Sequence, residues 1–448
     1  MIINIPSQVN TALEILSAAG YDAYVVGGAV RDAVMGKEPE DWDITTSSSP
    51  QQNKEVFSNY KVIETGIKHG TVTVIIDGLH IEITTFRIET GYSDNRHPDS
   101  VKFTDNICLD LARRDFTCNA IAYNHKVGFI DPFSGLEDIQ NKIIKSVGDA
   151  DKRFNEDGLR ILRALRFSQT LGFKIDNNTS ESVHKNKKLL ENISEERIFS
   201  ELRKTLTNCS ADFLLEYSDV IFQIIPELKN EEGCEQHHER HIYDVWHHTC
   251  VAVENAPNDE DIRLAVLLHD IGKPSCKSTD ENGIDHFYGH GEVGSKIAYD
   301  ILTRFKTSNK IRDKITDLIF YHDFVPDKIS KRTYRKYISR FGVDFVKNLF
   351  DIRKADVSAQ NPVFLESSLE QSEIGLEIFN EAITETNCFC IKDLNINGDD
   401  LIKEGIAPSS QMGKILNQLF DEVISDKLQN NKAALIKRAK ELYIDGNS

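Results

Sequence analysis

Long apolar runs are missing from this sequence. Stretches such as LAVLL before His269 are too short to cross a bilayer, so no membrane association is expected. The N-terminal MIINIPSQVN lacks a basic region followed by an apolar segment, so a secretory signal is not expected either. The 8 cysteines are scattered and form no CxxC pair, which argues against a zinc knuckle or redox motif and for a reducing cytoplasm. Internal repeats and low-complexity tracts are absent. So is an excess of positive charge: 53 Lys+Arg stand against 71 Asp+Glu, a net charge of −18. A nonspecific nucleic-acid binder draws its affinity from neutralising phosphates, so any nucleic-acid contact here has to use local basic strips. Net charge governs solubility and steering and leaves the chemistry of one cleft open.

What remains is an ordinary globular composition, 40% hydrophobic and 28% charged over 448 residues, with room for two or three domains. Residues 1–146 read as α+β: a helix over Ile5–Ala19, a strand at Tyr24–Val26, and strands Gly70–Ile76 and Leu79–Phe86 around an Asp77-Gly78 hairpin signal. From Asp149 onward the pattern is helical, with helices expected at Gly158–Gly172, Ile198–Leu206, Asp212–Ile225, Ile262–Leu268, Ile311–Tyr321 and Phe345–Ala355. The expected architecture is a mixed-sheet head (1–146), a helical neck (147–232), a His-rich metal-binding region (233–385) and a helical tail (386–448). Junctions are placed at the polar segment Gly233–Pro257 and near Asn387–Asn397.

The first chemical constellation lies in YVVGGAVRDAVMGKEPEDWDITT, residues 24–46. Gly27 and Gly28 follow a strand and open a helix, where missing side chains let the backbone approach a triphosphate and the helix N-terminus favours anions. Arg31 adds a fixed cation for phosphate oxygens. Asp41 and Asp43, two apart on extended chain, put both carboxylates on one face, where they can share divalent cations. Such cations activate a 3′-hydroxyl and stabilise leaving pyrophosphate. Glu82 is a candidate third carboxylate or a strand-surface residue. A lone Gly-Gly is usually a turn and a lone DxD a solvated loop; their combination in this order carries the signal.

GGAVRD…EDWDIT resembles the signature of polymerase-beta-like nucleotidyltransferases, specifically class II CCA-adding enzymes and bacterial poly(A) polymerases. RRDFTCNAIAY (113–123), DPFSG (131–135) and EDGLRILRALRF (156–167) extend the resemblance. It implies Mg²⁺-dependent, template-free addition of CMP twice and AMP once to the 3′ end of tRNA, from CTP and ATP. It further implies that Asp157 and Arg160 read the base edge, since a carboxylate accepts from an exocyclic amine and a guanidinium donates to ring nitrogen or carbonyl. Arg163 and Arg166 would face phosphate or the RNA end, and Arg114 would contact the nucleotide from the palm. The stretch 86–103 resembles the family's flexible loop, whose retention favours addition of the terminal A. An A-adding enzyme or poly(A) polymerase keeps the same motifs and stays as the alternative.

A second constellation is built on histidine, with nine of 14 between residues 237 and 322. His248, the doublet His269-Asp270, and Asp356 follow the order of the HD phosphohydrolase superfamily, which they resemble. That resemblance implies a divalent transition metal held by those four, with further histidines such as His290 and His322 for phosphate or a second metal. His237, His238, His241 and His247 read as surface residues of a polar linker. A chain whose head merely binds RNA while the HD region hydrolyses phosphate esters is the reading of another class; the intact Asp41, Asp43, Arg114, Asp157 and Arg160 count against it. Leu394–Leu419 resembles the tail of bacterial CCA-adding enzymes, and Lys432, Lys437, Arg438 and Lys440 could follow an acceptor stem or simply form a solvated face. Oligomeric state leaves no signal in the sequence.

Overall fold

The computed structural model describes residues 2–67, 70–91, 100–385 and 388–445. The chain forms two compact units, Met1–Cys209 with Glu216–Pro226, and Ser210–Leu215 with Glu227–Ser448. The first carries a mixed sheet with helices and the second is mostly helical, as the sequence led us to expect.

The sheet is built from β1 (Ala23–Val26), β2 (Asp43–Thr46), β3 (Lys61–Ile63), β4 (Thr71–Ile76), β5 (Leu79–Thr85), β8 (Ala122–Asn124) and β9 (Gly128–Ile130). Two further strands, β6 (Arg87–Thr90) and β7 (Ser100–Phe103), pair with each other. The sheet order is β3-β4-β5-β2-β1-β8-β9, and only β2 and β5 run parallel. Val72, Val74, Ile81 and Ile83 are buried at alternate positions of β4 and β5, the period-two pattern of a half-covered sheet. The hairpin turn lies where Asp77-Gly78 placed it: both residues have positive φ, 47° and 84°, as a type I′ turn requires. Residues 92–99, the centre of the stretch likened to the flexible loop, lie outside the described residues.

The helices start and stop near their sequence signals. Asp244 caps Val245–Asn255 by accepting from the His247 amide, and Asp259 caps Glu260–Leu268. One expected helix is divided: Asp212–Ile225 becomes Ala211–Glu216 and Ser218–Ile224, broken at Tyr217. The Tyr217 ring stacks on His184 at 5.1 Å and its hydroxyl meets Ser180 at 2.9 Å. The tail has its own core, where Leu401, Leu419 and Leu435 are fully buried.

Candidate active site and metal centre

In the first unit, β1 delivers the chain to Gly27, whose amide donates to the Ile121 carbonyl at 3.2 Å. Gly27 has φ 78°, and a Cβ there would lie 2.9 Å from Arg114 Nη1. Glycine is therefore required twice, by the backbone and by the guanidinium. The neighbouring strand begins at Asp43, which is exposed; before it Trp42 is buried and Asp41 exposed, an alternation that puts both carboxylates on one face. Register places Glu82 of β5 directly beside Asp43. The Asp43 carboxyl keeps solvent contact, yet crowding by surrounding protein and then the negative charge of Glu82 push its pKa up. Arg114 opposes this and Asp41 adds to it. Three hard oxygen donors on one face, with negative charge in excess, suit a divalent cation such as Mg²⁺. They stand apart: no three possible ligand atoms here approach within 4.8 Å of one another among the described residues.

Asp157 and Arg160 sit at the break between the helices Ala150–Glu156 and Leu159–Leu171. Arg160 is nearly buried. Its Nη2 donates to the Arg113 carbonyl at 3.0 Å, and its Nη1 to Glu156 at 2.6 Å and to the Arg153 carbonyl at 3.1 Å. Asp157 Oδ1 accepts from the Leu159 amide at 3.1 Å, and its Oδ2 lies 3.3 Å from Arg197. The Arg160–Arg113 bond ties this helix break to the residue preceding Arg114.

Three arginines expected to meet phosphate or RNA have partners within the protein. Arg31 donates to both Asp32 oxygens and, at 2.7 Å, to Asn119. Arg163 forms a forked pair with Asp115, at 2.8 and 2.5 Å, and Arg166 binds Glu201 at 2.6 Å. All three guanidiniums pack over the Phe167 ring, 4.0 to 5.1 Å from its centre. Counter-charges and an aromatic face hold these cations against the protein, where they fasten the helix Leu159–Leu171. Phe167 and Asn119 escaped the sequence reading because neither bears charge.

In the second unit, His248, His269, Asp270, Asp356, His290 and His322 come together from five separate segments, and all are buried. His248 Nε2 lies 3.0 Å from Asp356 Oδ1 and 3.5 Å from Asp270 Oδ2, while His269 Nε2 lies 3.2 Å from Asp270 Oδ2. His290 and His322 approach Asp270 Oδ1 at 3.5 and 3.7 Å. The four Nδ1 atoms meet backbone carbonyls, of Ala359, Val266, Phe287 and Ile319, at 2.6 to 3.2 Å. Carbonyls only accept, so each Nδ1 carries a proton, and in the neutral tautomer each Nε2 turns a lone pair inward. There the lone pairs face carboxylates, and those of His290 and His322 face each other at 3.1 Å. Acceptors opposed to acceptors need a proton or a metal ion between them, and this donor set of imidazoles and carboxylates fits a metal ion. Ligand atoms of His248, His269 and Asp356, and of His269, Asp270 and His322, form two groups within 4.8 Å.

Burial works to raise the Asp270 pKa, but His269 and Lys273 together hold it well below the usual carboxylate range. Lys273 Nζ lies 2.7 Å from Asp270. The sequence reading missed Lys273, although its place one helical turn after Asp270 was a usable signal. It also misjudged His241. That ring packs 5.5 Å from His248, and burial first, then Lys273, lower its pKa to about 3. No periodicity marks it, because 232–244 is irregular. His237 does reach solvent, with Nδ1 at 2.8 Å from Asp285. A pocket of about 330 Å³ opens over the cluster, lined also by His241, Lys273, Arg240 and Arg353.

These sites define a nucleotidyltransferase palm in one unit and a potential metal centre in the other. Residues 23–145 match the Poly A polymerase head domain family, 172–231 match "Probable RNA and SrmB-binding site of polymerase A", and 287–439 match "tRNA nucleotidyltransferase domain 2 putative". The CCA-adding enzyme of Lactobacillus helveticus is 33% identical over 96% of this chain and 96% of its own. That of Streptococcus agalactiae is 33% identical over 98% of this chain and 99% of its own. The chain belongs to the CCA-adding enzyme family, and it is accordingly a nucleotidyltransferase of tRNA processing. Enzymes of this class are metal-dependent. The Bacillus stearothermophilus CCA-adding enzyme in complex with CTP superposes with a TM-score of 0.72, at 26% identity and 98% coverage of both chains. The Thermotoga maritima enzyme complexed with tRNA_CCA shares the fold, with a TM-score of 0.60 at 20% identity, over 98% of this chain and 96% of that one. No helix among the described residues is long and apolar enough to cross a membrane.

Proposed function

We propose that the first unit adds CMP twice and AMP once to cytoplasmic tRNA ends from CTP and ATP, with Mg²⁺ held by Asp41 and Asp43. The observation that carries this reading is the shared face of Asp41, Asp43 and Glu82 beside Gly27 and Arg114. Mg²⁺ there supplies charge neutralisation and lowers the pKa of the attacking 3′-hydroxyl. Gly27 and Gly28 admit the triphosphate against the backbone, and Arg114, restrained beside Gly27, orients it. Asp157 accepts from the exocyclic amine of cytosine or adenine and Arg160 donates to the ring edge. Both bases offer an amine, so one residue pair can serve both. The bond from Arg160 to the Arg113 carbonyl links base choice to the palm. Head (1–146), neck (147–232), HD region (233–385) and tail (386–448) are the proposed divisions, with the exposed Lys432, Lys437 and Lys440 and the half-buried Arg438 of the tail proposed to face RNA.

Incubation with tRNAs ending before CCA, after C and after CC, each with CTP or ATP, tests the reading. Ordered C, C, A addition is expected; addition of A alone, or of A in long runs, would assign the chain to the A-adding or polyadenylating branch. Truncating Asp157 or Arg160 should relax selection against UTP and GTP. Slower but equally selective variants would remove the base-reading role.

A second activity is favoured by the inward lone pairs of the histidine cluster: metal-dependent phosphohydrolysis at an HD-type site. His248, His269, Asp270 and Asp356 would hold a transition metal, which supplies an activated water. Lys273, Arg240 and Arg353 would hold phosphate oxygens in the pocket above.

A further inference from the structure

Residues 328–343 contain six basic side chains and no acidic one, in a chain of net charge −18. The structure sorts these six into two sets. Lys331 and Arg335, four apart on the helix Lys331–Phe341, turn inward: Lys331 binds Glu381 and Glu385 at 2.6 and 2.5 Å, and Arg335 binds Asp426 and Glu385 at 2.6 and 2.9 Å. These acids consume the charge of the inner face. Lys328, Arg332, Lys336 and Arg340 follow the same four-residue spacing on the outer face, and all are exposed. Lys328, Arg332 and Lys336 have no acidic partner among the described residues. Arg340 donates to the Tyr321 hydroxyl at 3.1 Å and lies over the Phe341 ring at 4.6 Å, which holds its guanidinium out along the helix. The Asp317 carboxyl on the helix Asn309–Tyr321 senses Arg340.

We infer that this outer ridge is a track for the sugar-phosphate backbone of tRNA. Residues four apart on a helix advance by about 6 Å, so Arg332, Lys336 and Arg340 form a line of cations spanning about 12 Å. A polyanion approaching an acidic protein is repelled except where such a strip offers uncompensated positive charge. Backbone contacts of this kind set affinity and register while leaving sequence unread. A protein partner with an acidic face is the competing occupant, and RNA is favoured because it is the family's substrate class. The inference rests on that reading of the chain.

The test is the triple variant Arg332→Gln, Lys336→Gln, Arg340→Gln in the full chain, assayed on tRNA lacking its CCA end. KM for tRNA should rise about tenfold near 0.1 M salt, and the slope of log affinity against log salt should shrink by roughly 0.9 for each phosphate left without its cation. KM for CTP and kcat should stay as in the parent. A charge-keeping triple, Arg332→Lys, Lys336→Arg, Arg340→Lys, should restore both tRNA KM and slope. An unchanged tRNA KM and slope in the Gln variant would overturn the track. So would a raised KM with an unchanged slope, or a defect shared by the charge-keeping triple, since either marks a structural role. Should the parent add no nucleotide at all, the transferase reading fails, and salt-dependent tRNA binding by parent and variant still decides the ridge.

Discussion

The two units place carboxylates in opposite surroundings. Asp43 is exposed at the start of an interior strand, crowded by Glu82 and Asp41, and its pKa is pushed up. Asp270 is 1% exposed, enclosed by His269 and Lys273, and its pKa is pushed down. An open group of like charges gains most from a hard cation that exchanges with solvent and arrives with a triphosphate. An enclosed set of imidazoles, each fixed by a backbone carbonyl, is preorganised for an ion that stays. On the proposed reading, the open site suits a transient metal and the enclosed site a resident one.

The largest expected effect tests the open site. Asp43→Ala should lower nucleotide addition at least about 10³-fold, on the order of 4 kcal/mol, while tRNA binding persists. Quench-flow incorporation with saturating Mg²⁺, paired with a tRNA binding isotherm, measures it. Near-parental incorporation would sink the metal assignment and leave the carboxylate face a solvated surface.

The enclosed site gives the next effect. His269→Ala with Asp270→Ala should strip bound transition metal and any phosphoesterase activity, and incorporation of CMP and AMP should stay within roughly twofold of the parent. Elemental analysis of purified protein and both activity assays decide it. Unchanged metal content would refute the ligands. His290→Ala, which leaves the buried Asp270–Lys273 pair intact, should give a partial loss and guards against misreading a folding defect.

The difference between the sites also explains what was legible beforehand. The palm lies close in sequence and depends on local rules: strand, Gly-Gly turn, alternating Asp41-Trp42-Asp43, and an Asp-Gly hairpin. Each showed in the order of residues. The imidazole cluster draws on residues more than a hundred positions apart, from His248 to Asp356. Its proposed ligands were picked out by the HD resemblance, while His241 and Lys273 joined through packing that no periodicity encodes. The arginines of Leu159–Leu171 were legible in another way. Spacing gave the helix, but the partners of Arg163 and Arg166, Asp115 and Glu201, are contributed by other segments, so those ion pairs were invisible.

Gly27→Ala sharpens the palm side. The positive-φ backbone, φ 78° with ψ −137°, costs an alanine about 1–3 kcal/mol, and the added Cβ meets Arg114 Nη1 at 2.9 Å. Arg114 has to move, so kcat/KM for CTP and ATP should fall by roughly tenfold or more, with metal content of the second unit unchanged. Equal kcat/KM would show that Arg114 does not orient the nucleotide.

The smallest effect concerns the pair that fastens Leu159–Leu171 to the palm. Asp115 accepts from the Phe116 amide at 2.8 Å, from Asn119 at 3.1 Å and from both Arg163 donors. Burial works to raise its pKa, but Arg163 first, then its hydrogen bonds, depress it far below the ordinary value. Asp115→Asn keeps the shape and removes the charge, so it should cost about 2 kcal/mol, as loss of a charge-assisted hydrogen bond does. The pH dependence follows from the direction of the shift. A carboxylate with a depressed folded pKa stabilises fully above its unfolded value, near 3.9, and the contribution fades as pH falls toward the folded value. The gap between parent and Asp115→Asn in denaturant midpoint should therefore be constant from about pH 8 to 5 and narrow below about pH 4. A gap that widens on acidification would mean that Asp115 is protonated in the native state, and that the forked pair with Arg163 is not what holds the helix.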